Sequence, residues 1–124
     1  MVMLSNNVLL AIAHEFNSQS AREICGFLVL DAARTQYFQG IRNRANLPDS
    51  FILSERDTSA VYARAKNSDH KVIAFIHSHK SDLELSREDH VDFTNSTIPW
   101  IIVCRNLDKI TYRVHFPKRS FPES

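Results

Sequence analysis

The stretch "KVIAFIHSHKSDLELSREDH", residues 71–90, decides how the chain folds. Val72-Ile73-Ala74-Phe75-Ile76 is a short, unbroken apolar run, the pattern of a strand buried on both faces. It ends on two histidines around one serine. On a strand, residues two apart point to the same side, so His77 and His79 aim together and Ser78 aims away. A polar stretch follows, and then Ser86 with Asp89 three residues on, which is a near capping box opening a helix over "LSREDHVDFTN". The reading is therefore a central strand, a loop and a helix start, with two imidazoles at the strand end.

Working outward, the same patterns cover the rest of the chain. In "MVMLSNNVLLAIAHEF", Val8, Leu9, Ile12, Ala13 and Phe16 recur at helical spacing, which predicts a first helix. Ile24 to Leu30 in "SAREICGFLVLD" predicts a buried strand. "RTQYFQGIRNR" predicts a second strand, antiparallel to the first, with Asp31 to Arg34 as its turn. "NLPDSFILS" predicts a short third strand. Ser54 or Asp57 is placed to cap a helix from about Thr58 to Asn67, with Val61 and Ala65 inward. "PWIIVCR" and "KITYRVHF" predict two last strands joined through Asn106-Leu107-Asp108. The tail "PKRSFPES", from about residue 117, reads as frayed. The order is helix, three strands, helix, strand, helix, two strands. That defines a mixed α/β (α+β) domain, one mixed sheet flanked by helices.

With 124 residues, the chain is expected to be one domain over 1–124. A chain this long buries most of its apolar surface without disulfide or metal staples, so a metal need not be structural. Lys and Arg total 15 against 14 Asp and Glu, and they are scattered, which gives no nucleic-acid footprint. No run approaches the length of a membrane span. The N-terminus has neither a basic start nor a small-residue cleavage site, so a cytoplasmic protein is expected. Cys25 and Cys104 lie inside apolar runs without the spacing of a zinc finger or redox pair, and read as buried reduced thiols. His14, His70 and His115 stand alone and read as surface or satisfied core residues.

The two co-directed imidazoles are half of a zinc site. Catalytic zinc takes three protein ligands and keeps a fourth position open. Asp82, Glu84, Glu88, Asp89 and His90 all qualify by type as a third ligand. Asp89 has the best position, one turn into a helix and facing back toward the strand end. A hydrolytic zinc site also needs a general base. Glu23, at the head of the first strand, is available if that strand lies beside the one ending in His77.

Glu23, His77-Ser78-His79 and Ser86-Arg87-Glu88-Asp89 together resemble the JAMM (MPN-plus) metallopeptidase pattern: a glutamate, a long gap, His-Ser/Thr-His, and a downstream Ser-x-x-Asp. "EICGFLV" and "KVIAFIHSH" are similar to the surroundings of that motif in prokaryotic members, and "STIPWIIVCR" resembles a strand of phage-tail members. The likeness spans about residues 20–115. It departs in the loop after His79. "KSDLEL" has six residues where the family has seven, and Lys80 stands where the family has proline. Strict counting from His79 places the family's aspartate position on His90.

By that resemblance His77, His79 and Asp89 would hold Zn2+. Glu23 would move the proton of the attacking water, and Ser86 would steady the oxyanion. The implied activity is zinc-dependent hydrolysis of a peptide or isopeptide bond in a protein or peptide substrate, with phage tail-tip proteins as expected partners in a tail or prophage setting, in host cytoplasm or virion. Two other roles fit the resemblance: a catalytically silent assembly component of a phage tail tip, and a prokaryotic deconjugase of ubiquitin-like or sulfur-carrier proteins.

Overall fold

The computed structural model describes residues 3–18 and 22–117. Eight elements follow one another: α1 (Asn6–Ser18), β1 (Cys25–Leu30), β2 (Gln36–Ile41), α2 (Glu55–Asn67), β3 (Lys71–Ser78), α3 (Arg87–Phe93), β4 (Trp100–Asn106) and β5 (Lys109–His115). The five strands form one mixed sheet in the order β2-β1-β3-β4-β5. β3 is central. It runs antiparallel to β1 and parallel to β4, and β2 and β5 are antiparallel edge strands. The expected mixed sheet with flanking helices is what forms. The predicted fraying of the tail falls on residues 118–124, outside the described residues.

Both faces of the sheet are covered, which is why residues 72–76 of β3 and 100–104 of β4 form unbroken apolar runs. On one face Val8 and Ile12 of α1 pack with Leu28, Ala74, Ile76, Ile101 and Val103. On the other, Val61 and Ala65 of α2 and Phe93 of α3 pack with Cys25, Phe27, Phe75 and Trp100. Burying apolar surface on both faces at roughly 25 cal/mol per Å² is the main force holding these layers together. Val61 and Ala65 face inward as their spacing predicts.

The turns carry their own chemistry. Asp31 Oδ1 accepts from the backbone N–H groups of Ala33 and Thr35, and Arg34 takes the left-handed φ of 67° that closes the β1–β2 hairpin. β4 and β5 join through Leu107-Asp108, with Leu107 at φ 59°. α2 starts at Glu55, three residues before the expected Thr58, because Ser54 takes the cap position and its side chain accepts from Asp57 N. α3 starts on the full capping box of Ser86 and Asp89.

One expected element does not form. Residues 46–54, "NLPDSFILS", make no strand. Their backbone groups bond locally. Asn43 Oδ1 accepts from Ala45 N and Ile52 N, Asn43 Nδ2 donates to the carbonyls of Ser50 and Glu23, and Arg44 N donates to Ile52 O. Phe51 and Leu53 pack down against the α2 and α3 face of the sheet. The apolar run is thus a cover over one end of the sheet rather than a sixth strand.

Candidate metal centre

β1 and β3 pair with Cys25 opposite His77. Glu23, two residues before Cys25, therefore sits at the same end of the sheet as the end of β3. That end is pinned. Ile24 N donates to Ser78 Oγ at 2.7 Å, Ser78 N donates to Ile24 O at 3.0 Å, and His79 N donates to Val103 O at 2.9 Å. Ser78 points away from the two histidines, as strand alternation requires, and its hydroxyl ties the strand ends together.

His77 and His79 point to the side where α3 begins. His77 is fully buried, its ring 4.6 Å from that of Phe51 and 5.5 Å from those of Phe75 and Trp100. The two imidazole rings are 5.0 Å apart. The capping box turns the Asp89 carboxylate back onto them. Its Oδ1 lies 3.6 Å from His77 Nε2, and its Oδ2 lies 3.0 Å from His79 Nε2 while also accepting from Ser86 N at 2.9 Å. Glu23 Oε1 lies 3.3 Å from Nδ1 of His77, the opposite ring nitrogen. One ligand atom from each of Glu23, His77 and His79 falls within 4.8 Å of the others, so these three side chains alone can hold a metal ion.

The electrostatics follow from that crowding. Burial disfavours a charged Asp89, but the hydrogen bond to His79, the nearness of His77 and the Ser86 N–H outweigh it and bring its carboxyl down to about 2. Burial also works against a charged His79, yet Asp89, with Glu23 and Asp82 behind it, raises its pKa. Burial, with the charges of Glu23 and Asp89 added, pushes the Cys25 thiol up.

Among the described residues, His77 Nε2 is the one buried side-chain nitrogen or oxygen without a hydrogen-bond partner. If Nδ1–H is donated to Glu23, Nε2 is a bare lone pair facing a carboxylate oxygen. Two acceptors held at 3.6 Å in a dry site repel unless a proton or a cation lies between them. Tetrahedral zinc with ligands at about 2.0–2.1 Å sets ligand atoms roughly 3.3 Å apart. The distances of 3.0 and 3.6 Å between imidazole nitrogens and Asp89 oxygens bracket that spacing. A carboxylate on the far nitrogen of a ligating histidine is also the usual outer support of a zinc site. The residues present fit a metal ion.

The other acidic and imidazole candidates are all exposed, Glu88 among them on the wall of the cleft over the centre. His90 is exposed, Glu84 pairs with Arg113, and the side chain of Asp82 is mostly exposed at 3.5 Å from His79 Nδ1. The capping box turns Asp89 inward and leaves His90 outside. His70 bonds Tyr37 Oη and His115 bonds Leu83 O, as isolated satisfied histidines do.

Two residues at the site are not legible as such in the sequence. Phe51 reads as a strand residue but forms a wall of His77. Asn43 reads as a polar strand position but fixes the loop that carries Phe51. A cleft of about 350 Å³ opens over the centre, walled by Glu23, Pro48, Phe51, Ser86, Asp89 and Asp92 among others.

The mixed sheet, with α1 on one face and α2 and α3 on the other, thus brings Glu23, His77, His79 and Asp89 together at the end of its central strand. The model of the prokaryotic homologues of the JAB domain matches residues 5–116, and the chain belongs to that family. A protein of Desulfitobacterium hafniense, known from its solution structure, shares the fold with a TM-score of 0.79 at 15% identity, over 95% of this chain and 86% of that one. A protein of Salinibacter ruber, also a solution structure, matches with a TM-score of 0.55 at 17% identity, over 95% and 93%. No curated protein matches the chain. Family membership and the Glu23, His77 and His79 cluster are compatible with a metal-dependent hydrolase. No helix among the described residues is long and apolar enough to cross a membrane.

Proposed function

We propose that this chain is a zinc-dependent hydrolase of peptide or isopeptide bonds. The observation that carries the reading is the unpartnered, fully buried Nε2 of His77 facing a carboxylate. In this reading Nε2 of His77, Nε2 of His79 and the carboxylate of Asp89 hold zinc. Zinc bound by three protein ligands lowers the pKa of a water to about 7 and polarises a carbonyl.

Glu23 has a double role. Its Oε1 fixes the ring of His77 through Nδ1, and its carboxylate borders the cleft, within reach of the attacking water, as general base and then general acid. Ser86 Oγ accepts from Asp89 N at 3.1 Å, which leaves its own hydrogen to donate toward the oxyanion. Phe51 and Trp100 keep bulk water off His77 and so strengthen every charge interaction in the centre. The tail or prophage setting rests on the "STIPWIIVCR" likeness alone, and a neighbouring tail gene would support it.

Elemental analysis of untagged protein purified without chelators tests the ligand set. Wild type, Glu23→Gln and His90→Ala are expected to carry about one zinc per chain and Asp89→Ala almost none. Glu23→Gln is expected to keep its fold and lose peptide cleavage. If Glu23→Gln loses the metal and Asp89→Ala keeps it, the ligands are Glu23, His77 and His79 instead. A wild type that refuses zinc overturns the hydrolase reading and favours a silent assembly role.

A further inference from the structure

A second opening lies on the other side of Phe51. It is a groove of about 580 Å³ on the face of the sheet between α2 and α3. Its floor is Phe27, Phe75 and Trp100, and its rims are Tyr62 of α2, Ile52 of the covering loop and residues 95–98 before β4. The groove and the cleft over the metal centre share two residues, Phe51 and Asp92. The floor also touches the centre directly, since Phe75 and Trp100 pack on the ring of His77. A peptide lying in the cleft is therefore one side chain away from the groove.

The surface of the groove indicates what enters it. Ile52 is 58% exposed and Tyr62 is 42% exposed, so its rims leave apolar surface in water beside a site that handles a substrate. Part of its polar wall is already partnered. Ser96 Oγ donates to Ile98 O and accepts from Ile98 N and from Trp100 Nε1. The one carboxylate along it, Asp92, sits at the junction with the cleft. The floor therefore offers mainly apolar contact area, with Asn95 and Thr97 as exposed polar groups on one rim, the chemistry of a pocket for an aliphatic or aromatic side chain. Its rim is also preformed, because Asn43 fixes the loop that carries Phe51 and Ile52.

We infer that this groove is a specificity pocket, selecting peptides that carry a bulky apolar side chain beside the bond that is cut. The inference rests on the hydrolase reading. It separates this chain from enzymes that cut after Gly-Gly tails, since two glycines would leave the groove empty.

Two measurements on the zinc-loaded protein test it. The first does not need catalysis. In an NMR titration, N-acetyl-phenylalaninamide is expected to shift the Trp100 indole and Ile98 amide signals at millimolar concentration, and N-acetylglycinamide is not. The second is digestion of a mixed peptide library read by mass spectrometry. Cut sites are expected to show Phe, Tyr, Leu or Met at one fixed position, with kcat/KM for Phe above Gly by about 100-fold.

Ile98→Trp fills the groove and Tyr62→Ala removes a rim. Both are expected to erase most of that preference through KM while a Gly-containing peptide is cut as before and zinc content is unchanged. Tyr62 is partly exposed, so its variant is expected to fold even if the fuller one does not. No shift with the phenylalanine probe, or cleavage indifferent to the apolar residue, overturns the pocket alone. Shifts without cleavage of any peptide overturn the hydrolase reading, and selection with it, while an apolar-ligand site stands on the shifts.

Discussion

Asn43 does with one side chain what a strand partner does elsewhere. It accepts from two backbone N–H groups and donates to one carbonyl of the covering loop and to the carbonyl of Glu23, which ties the loop to the head of β1. Asn43→Ala is expected to destabilise by about 3 kcal/mol, since several part-buried polar groups lose their partners at once. Asn43→Asp keeps the two accepted bonds and is expected to cost less. Urea unfolding of the three proteins reads the difference, and an alanine variant as stable as wild type would show that the loop is held by Phe51 and Leu53 packing alone. The two thiols give a second test at this scale. Cys25 is held above its ordinary value by burial and by Glu23 and Asp89, and Cys104 by burial and Asp82. A raised thiol pKa means less thiolate at a given pH, so both are expected to resist iodoacetamide at pH 8 in the folded protein and react once it is unfolded. Rapid labelling of native protein would count against the burial of those strand ends.

The elements themselves were largely legible, because each announces itself by a local rule. β1, β3 and β4 are continuous apolar runs since both their faces are covered, and Ser54 and Ser86 mark helix starts by their side-chain bonds. The covering loop was not legible as a loop. Phe51-Ile52-Leu53 has the composition of a strand, and nothing local says that Asn43 has taken the backbone groups a ladder would need. Gly26 hides a similar non-local fact. A Cβ there would lie 2.4 Å from Phe38 Cε1 and 2.7 Å from the backbone oxygen of Gln39. Phe38 of the edge strand β2 thus lies over the glycine, so close that β1 and β2 cannot keep this pairing around a larger residue. Gly26→Ala is expected to destabilise by about 2–3 kcal/mol, because both an aromatic ring and a backbone oxygen must shift. Thermal unfolding checks it. Phe38→Ala added to Gly26→Ala removes the ring clash and is expected to cost less than the sum of the two single changes.

At the scale of the whole molecule, the candidate centre joins residues 23, 77, 79 and 89, brought together by β1 lying antiparallel to β3 and by the return of the chain into α3. Spacing in the sequence pairs His77 with His79 and Ser86 with Asp89. It does not place Glu23, because nothing between residues 23 and 77 states which strand β1 will join. It also leaves Asp89 and His90 as rivals, a choice the capping box makes by turning Asp89 inward. The assembled centre packs two carboxylates and two imidazoles at one end of the core. A cation that fits there binds the folded chain and finds no such cluster in the unfolded one, so zinc is expected to act as a stabilising ligand. At free zinc about 1,000 times its Kd the gain is about 4 kcal/mol, on the order of 10–20 °C in Tm for a domain of this size. Differential scanning fluorimetry with zinc and with a chelator measures it. The shift is expected to shrink strongly in Asp89→Ala and to persist in His90→Ala, which separates ligation at the centre from zinc held on surface histidines. An equal shift in wild type and Asp89→Ala would move the metal away from the end of the central strand, and an absent shift in wild type would leave the bare lone pair of His77 to be explained by a proton instead.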